Sequence, residues 1–142
     1  MNIKKWRKYI IFILFLSVYI FIAYVLDNIT SSYVNETFNP FVKILFDYLM
    51  YIIFGMILGI EYLLNQKKLE GKWKINLSKL LIMGIPSLFF ASHHYITIVG
   101  INIFPTILNS MFLILWQILF GYVVVTSFYK DTITRNNEYT KV

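Results

Sequence analysis

Lys43, Asp47 and His93 are the residues of this sequence whose types suit chemistry in an apolar setting. Lys43 and Asp47 are four residues apart, so on a helix one stands a turn above the other and the two can pair. A carboxylate and an imidazole sharing a desolvated site can have their proton affinities pushed into the working range, which would make a protonatable relay. The structural reading competes with it and is favoured: Lys43 and Asp47 neutralise each other, His93 bonds a neighbouring helix, and an ion pair near a helix end reaches water. A metal site built from His93, His94 and Asp47 is disfavoured, because adjacent helical positions diverge by about 100° whereas ligands recur at i,i+3 or i,i+4.

Lys43 and Asp47 stand in the apolar run Phe41 to Leu64, which also carries Glu61. At ~1.5 Å per residue such a run crosses a ~30 Å hydrocarbon core, where a charge is costly enough to need a reason. On a helical wheel Lys43, Asp47, Tyr51, Phe54, Gly55, Gly59, Glu61 and Tyr62 occupy one half. The opposite half, which includes Ile52, Ile57, Ile60 and Leu64, is apolar throughout and is expected to face lipid. Glu61, near the far end of the run, is expected to reach the headgroup layer and meet Lys67, Lys68 or Lys79.

Whole-chain composition agrees with a membrane setting. The 142 residues are 58% hydrophobic and 14% charged, with a mean hydropathy of +0.66; a soluble domain of this length carries more charge and shorter apolar runs. The absence of cysteine excludes disulfides, thiolate nucleophiles and iron–sulfur clusters. The net charge of +6 is distributed as a topology signal rather than a nucleic-acid surface. Of 13 Lys and Arg residues, Lys4, Lys5, Arg7 and Lys8 precede the first apolar run, Lys67, Lys68, Lys72, Lys74 and Lys79 follow the second, and Lys130, Arg135 and Lys141 follow the last. Lys43 alone falls on the other side, the pattern expected when both termini and the middle loop are cytoplasmic.

The expected fold class is therefore all-α: an integral membrane bundle of four transmembrane helices, N-in and C-in, forming one domain over 1–142. The first span covers about 9–26, an uncleaved signal anchor, and a polar outer loop covers 27–39. Pro40 opens the second span, about 41–64. A basic inner loop, 65–78, carries Trp73 among lysines and suits a segment lying on the inner headgroups. The third span, about 79–100, is expected to kink near Pro86. A tight outer turn leads to the fourth, about 106–129, and the tail 130–142 is expected to be disordered.

Depth brings the polar residues into one layer. Counted from the outer ends, Asp47, His93 and Ser110 each lie within about two turns of the surface, so Lys43, Asp47, His93 and Ser110 form the candidate outer cluster. Gly55, Gly59, Gln117 and Gly121 have the character of helix contacts in lipid, with Gln117 expected to bond across helices. No G-x-S-x-G, H-E-x-x-H or phosphate-cradling glycine loop occurs, so no catalytic residue, metal or cofactor is expected and the chain is read as a non-enzyme.

Abundant Ile, Lys, Asn, Tyr and Phe suit an AT-rich, low-GC bacterium and hence its plasma (inner) membrane. The expected partners are the lipid bilayer and a second copy or another membrane protein, with no nucleic acid. The leading expectation is an accessory, immunity or envelope component acting through helix association. Its rival is a small proton-coupled transporter or channel using the Lys43/Asp47/His93 cluster.

Overall fold

Long apolar runs with no internal proline become long helices, and two dominate the described residues. The computed structural model describes residues 3–93 and 110–131. It is mostly helical, with α1 over Ile3–Thr37, α2 over Phe41–Lys67, β1 over Lys72–Ile75, a short α3 over Leu77–Lys79, a π-helical segment over Leu80–Gly84, α4 over Ile85–Ala91, α5 over Ser110–Thr126 and β2 over Phe128–Asp131. Among the described residues, Trp6–Thr37 of α1 and the whole of α2 are long and apolar enough to cross a membrane. Contacts divide the chain into two units, Met1–Met50 and Tyr51–Val142.

In the first unit α1 does not stop where the apolar run ends. The segment expected as an outer loop, 27–39, is helical through Thr37. No glycine or proline breaks it, and its hydroxyls bond back along the helix: Thr30 Oγ1 donates to the Leu26 carbonyl at 3.1 Å, Ser32 Oγ to Asn28 at 3.0 Å and Thr37 Oγ1 to Tyr33 at 2.7 Å. The turn itself takes three residues. Phe38 adopts a left-handed φ of 53°, its N–H reaches the Val34 carbonyl at 2.8 Å, and Asn39 Oδ1 accepts from the Phe41 N–H at 3.0 Å to start α2.

In the second unit the C-terminal part of α2 runs in the same direction as α5. Gly55 meets Ile118, Gly59 meets Val125, and further along Gln66 Oε1 accepts from the Lys130 N–H at 3.0 Å. Leu77–Ala91 runs the opposite way to α5, because Lys79 Nζ reaches Thr126 Oγ1 at 2.7 Å while Phe90 stacks on Trp116, ring centroids 4.8 Å apart. Among the described residues Ile52, Ile57, Ala91, Leu113 and Val123 are the buried apolar ones. Ile52 and Ile57, which the wheel placed toward lipid, are thus inside the protein: Ile52 flanks the glycine face, where its carbonyl meets Gly121 of α5, and Ile57 is buried on the opposite side of α2.

Pro86 shapes the third helix differently from a simple kink. Proline offers no N–H, and its ring crowds the carbonyl four residues back. The chain widens to π spacing over Leu80–Gly84, immediately before it. Ser87, fully buried, donates from Oγ to the Gly84 carbonyl at 2.9 Å, so its hydroxyl is satisfied within its own helix.

The basic segment 65–78, expected as an inner loop, is partly a strand. Lys72–Ile75 pairs antiparallel with Phe128–Asp131, in the register Lys72 to Asp131, Trp73 to Lys130, Lys74 to Tyr129 and Ile75 to Phe128. The last helix therefore ends at Thr126, and Lys130 and Asp131, expected in the tail, belong to this ribbon.

Candidate functional site

Of the cluster expected from the sequence, Lys43 and Asp47 come together in the first unit, where α1 and the start of α2 bring unlike charges into contact. Lys43, in the first turn of α2, forms an ion pair with Asp27 of α1 and lies 3.5 Å from Asp47 Oδ2. All three side chains keep part of their surface open, at 31% for Lys43, 47% for Asp27 and 35% for Asp47. The arrangement holds two carboxylates on one ammonium, a spare negative charge at a partly open position. Tyr19 anchors the same hairpin deeper in, its hydroxyl donating to the Met50 carbonyl at 2.5 Å.

Asp27 was missed in the sequence because it was read as the first residue of a loop. Helical continuity was the available signal: with α1 extended to Thr37, Asp27 shares a stripe with Tyr19, Ala23 and Thr30, all half-buried. His93 belongs to the second unit, two residues past the end of α4, and is half-buried. Ser110 is the first residue of α5. His94 lies outside the described residues.

The packing residues are resolved in more detail. A methyl group on Gly55 would fall on the carbonyl oxygen of Ile118, and one on Gly121 on the carbonyl oxygen of Ile52. At Gly59 the obstacle is a side chain, Val125 Cγ1 at 2.9 Å. Gln117 is 5% exposed, and its Oε1 accepts no hydrogen bond. The bond across helices expected of its amide is therefore not made at that oxygen.

A second polar site, unforeseen in the sequence, lies where α2, α3, α5 and β2 of the second unit end near one another. A cavity of about 320 Å³ is lined by Tyr62, Gln66, Leu69, Asn76, Lys79, Thr126, Tyr129 and Lys130. Asn76 starts α3 by accepting from the Lys79 N–H at 3.0 Å, and its own N–H donates to the Ser127 carbonyl at 2.8 Å. That pins Lys79 at the mouth of the bundle. Its ammonium donates to Thr126 Oγ1 and lies 5.8 Å from the ring centroids of both Tyr62 and Tyr122. Glu61 does not meet Lys79: it is exposed, and among the described residues it forms no ion pair.

Lys130 closes the other side. Its Nζ donates to the carbonyls of Leu69 at 2.6 Å and Lys67 at 3.2 Å and lies 5.5 Å from the Trp73 ring centroid. Lys74, on the outer edge of the ribbon, pairs with Asp131. The hydrogen bond to that carboxylate, then its charge, hold the Lys74 ammonium above the ordinary lysine range.

No protein-family model matches the chain, and no curated protein and no solved structure matches it.

Proposed function

We propose that this chain is a multi-pass protein of a bacterial inner membrane, both termini cytoplasmic, that acts without catalysis as an accessory, immunity or envelope component by associating through its helices. The observation that carries the reading is α1. Its most apolar 18-residue window has a mean hydropathy of 2.7 and buries none of its residues inside the chain. Such a surface is at home in lipid and free to meet the span of a second copy or of another membrane protein, where packing and interhelical hydrogen bonds drive association. The parallel run of α2 and α5, with Leu77–Ala91 antiparallel to α5 between them in sequence, supports an even number of crossings. The placement of twelve of thirteen basic residues supports cytoplasmic termini.

Leucine exchange on the outward side of α1, at Phe15, Val18, Phe21, Ile22 and Val25, preserves a span while erasing its shape. In native membranes, cross-linking is expected to trap a discrete complex with the unaltered chain and to lose it after the exchange, with insertion retained. A chain that stays monomeric, or a complex indifferent to the exchange, sinks the reading. A reporter fused after Val142 that is active only outside the membrane reverses the orientation.

The two carboxylates sharing Lys43 favour a second reading, a proton-coupled transporter or channel. Asp47→Asn and His93→Ala separate the two. Transport predicts lost flux with assembly intact; the accessory role predicts altered assembly or stability.

A further inference from the structure

Lys79 and Lys130 place two ammonium groups on a cavity whose lining contains no carboxylate. Lys79 meets a hydroxyl and two aromatic rings, and Lys130 meets carbonyl dipoles and one ring, so neither positive charge is neutralised by a described acidic residue. The remaining polar lining adds donors. Gln66 Oε1 is committed to the Lys130 N–H, which turns the amide NH2 of Gln66 outward as a donor. Tyr62 and Tyr129 also line the space, and no described residue accepts from the Tyr62 hydroxyl, which is left as a further donor. A cavity of this size, larger than a bare ion requires, is rich in donors and carries a double positive charge.

An anion with several acceptor oxygens satisfies that set, and a phosphate group is the chemistry that matches it. The surroundings select its source. Leu69 lines the cavity at 41% exposure, Trp73 stands over Lys130 at 49%, and Leu77 and Leu81 are more than half exposed on the adjoining helix. These apolar groups beside a phosphate-sized cluster of donors suit a molecule with acyl chains attached.

We propose that this cavity binds the phosphodiester headgroup of an anionic phospholipid of the inner leaflet, with Lys79 and Lys130 on the phosphate oxygens and Gln66 and Tyr62 as further donors. The assignment rests on the membrane reading above. It makes the ends of α2 and α5 and the β1–β2 ribbon a lipid-dependent clamp.

The test uses the full chain with Trp6→Phe and Trp116→Phe, leaving Trp73 as the reporter among three tryptophans. In phosphatidylcholine vesicles, brominated phosphatidylglycerol is expected to quench Trp73 saturably and more strongly than brominated phosphatidylcholine at the same mole fraction. Lys79→Gln and Lys130→Gln each lower that preference about fivefold, as loss of one lysine–lipid attraction implies; Lys79→Arg retains it. Lys68→Gln, outside the cavity, leaves it unchanged. Tyr62→Phe lowers it while keeping the ring beneath Lys79, and so tests the site without removing a charge. An equal loss on Lys68→Gln assigns the preference to diffuse surface charge and overturns the site. Abolition by inorganic phosphate assigns the cavity to the free anion and overturns the lipid. Quenching by phosphatidylcholine without preference overturns the site while the membrane reading stands; no quenching by either lipid removes both.

Discussion

Gly55 and Gly121 interlock reciprocally: each presents its bare Cα to a carbonyl of the opposite helix, and each carbonyl belongs to the residue three positions before the other glycine, Ile118 for Gly55 and Ile52 for Gly121. The approach is close enough for Cα–H···O contacts, and in lipid such contacts and dispersion replace the hydrophobic effect as the source of helix adhesion.

Gly55→Ala and Gly121→Ala are therefore expected to destabilise the second unit by about 1–3 kcal/mol each, because backbone must move to admit the methyl. Gly59→Ala is expected to cost less, since its methyl would meet Val125 side-chain carbons at 2.9 and 3.0 Å, a milder clash than the carbonyl oxygens at 2.0 Å that face Gly55 and Gly121. Reversible unfolding in bicelles or mild detergent measures the three side by side. Equal and negligible costs at all three would dismiss the interlock.

Lys43 divides its charge between Asp27 and Asp47, with Asp27 the nearer partner. A double-mutant cycle with Lys43→Met is expected to give a coupling of roughly 0.5–1 kcal/mol to Asp27, held down by the partial exposure of both groups, and a smaller one to Asp47. Lys43→Met is expected to be the most damaging single change, because it leaves two carboxylates close together without their cation. A larger coupling to Asp47 than to Asp27 contradicts this ordering.

Pro86 sets the π spacing that precedes it, so Pro86→Ala is expected to let Leu80–Gly84 relax toward α spacing. Removing the extra residue from that turn rotates α3 by about 100° relative to α4. Lys79 would then leave Thr126 and the cavity would open. Disulfide trapping between cysteines placed at 79 and 126 reports it: efficient with Pro86 present, weak after the change. Unaltered trapping separates the π segment from the proline.

Sequence reasoning reached the elements whose signals are local. Apolar length marked α2 and the core of α1 as helices long enough to cross a membrane. It did not distinguish lipid from protein as the neighbour of an apolar side chain, since Ile52 and Ile57 suit either solvent equally well. The helical run to Thr37 was legible in the absence of breakers, but polar composition outweighed it. The β1–β2 ribbon was not legible, because its pairing joins residues more than fifty positions apart, both strands have only four residues, and Phe128–Asp131 does not alternate as Lys72–Ile75 does. The Lys79 cavity follows from that pairing and was hidden with it.

Lys74 gives the ribbon a pH dependence with a definite sign. Its ammonium donates to Asp131, and the resulting bond and charge raise its pKa above the ordinary 10.5; Tyr129, opposite it in the register, contributes a smaller effect in the same direction. A lysine whose folded value exceeds its unfolded one adds stability at pH values below the unfolded value, and that contribution is lost as pH rises through the folded value. The ribbon is therefore expected to be insensitive to Lys74 titration through neutrality and up to about pH 10, and to open as the pH climbs further. Spin labels on Ile75→Cys and Phe128→Cys, opposite each other across the strands, measure the separation directly. Lys74→Met is expected to widen the distance distribution already at neutral pH and to remove its alkaline broadening. Alkaline opening that persists unchanged in Lys74→Met assigns the transition to another group and ends the role given to this ion pair.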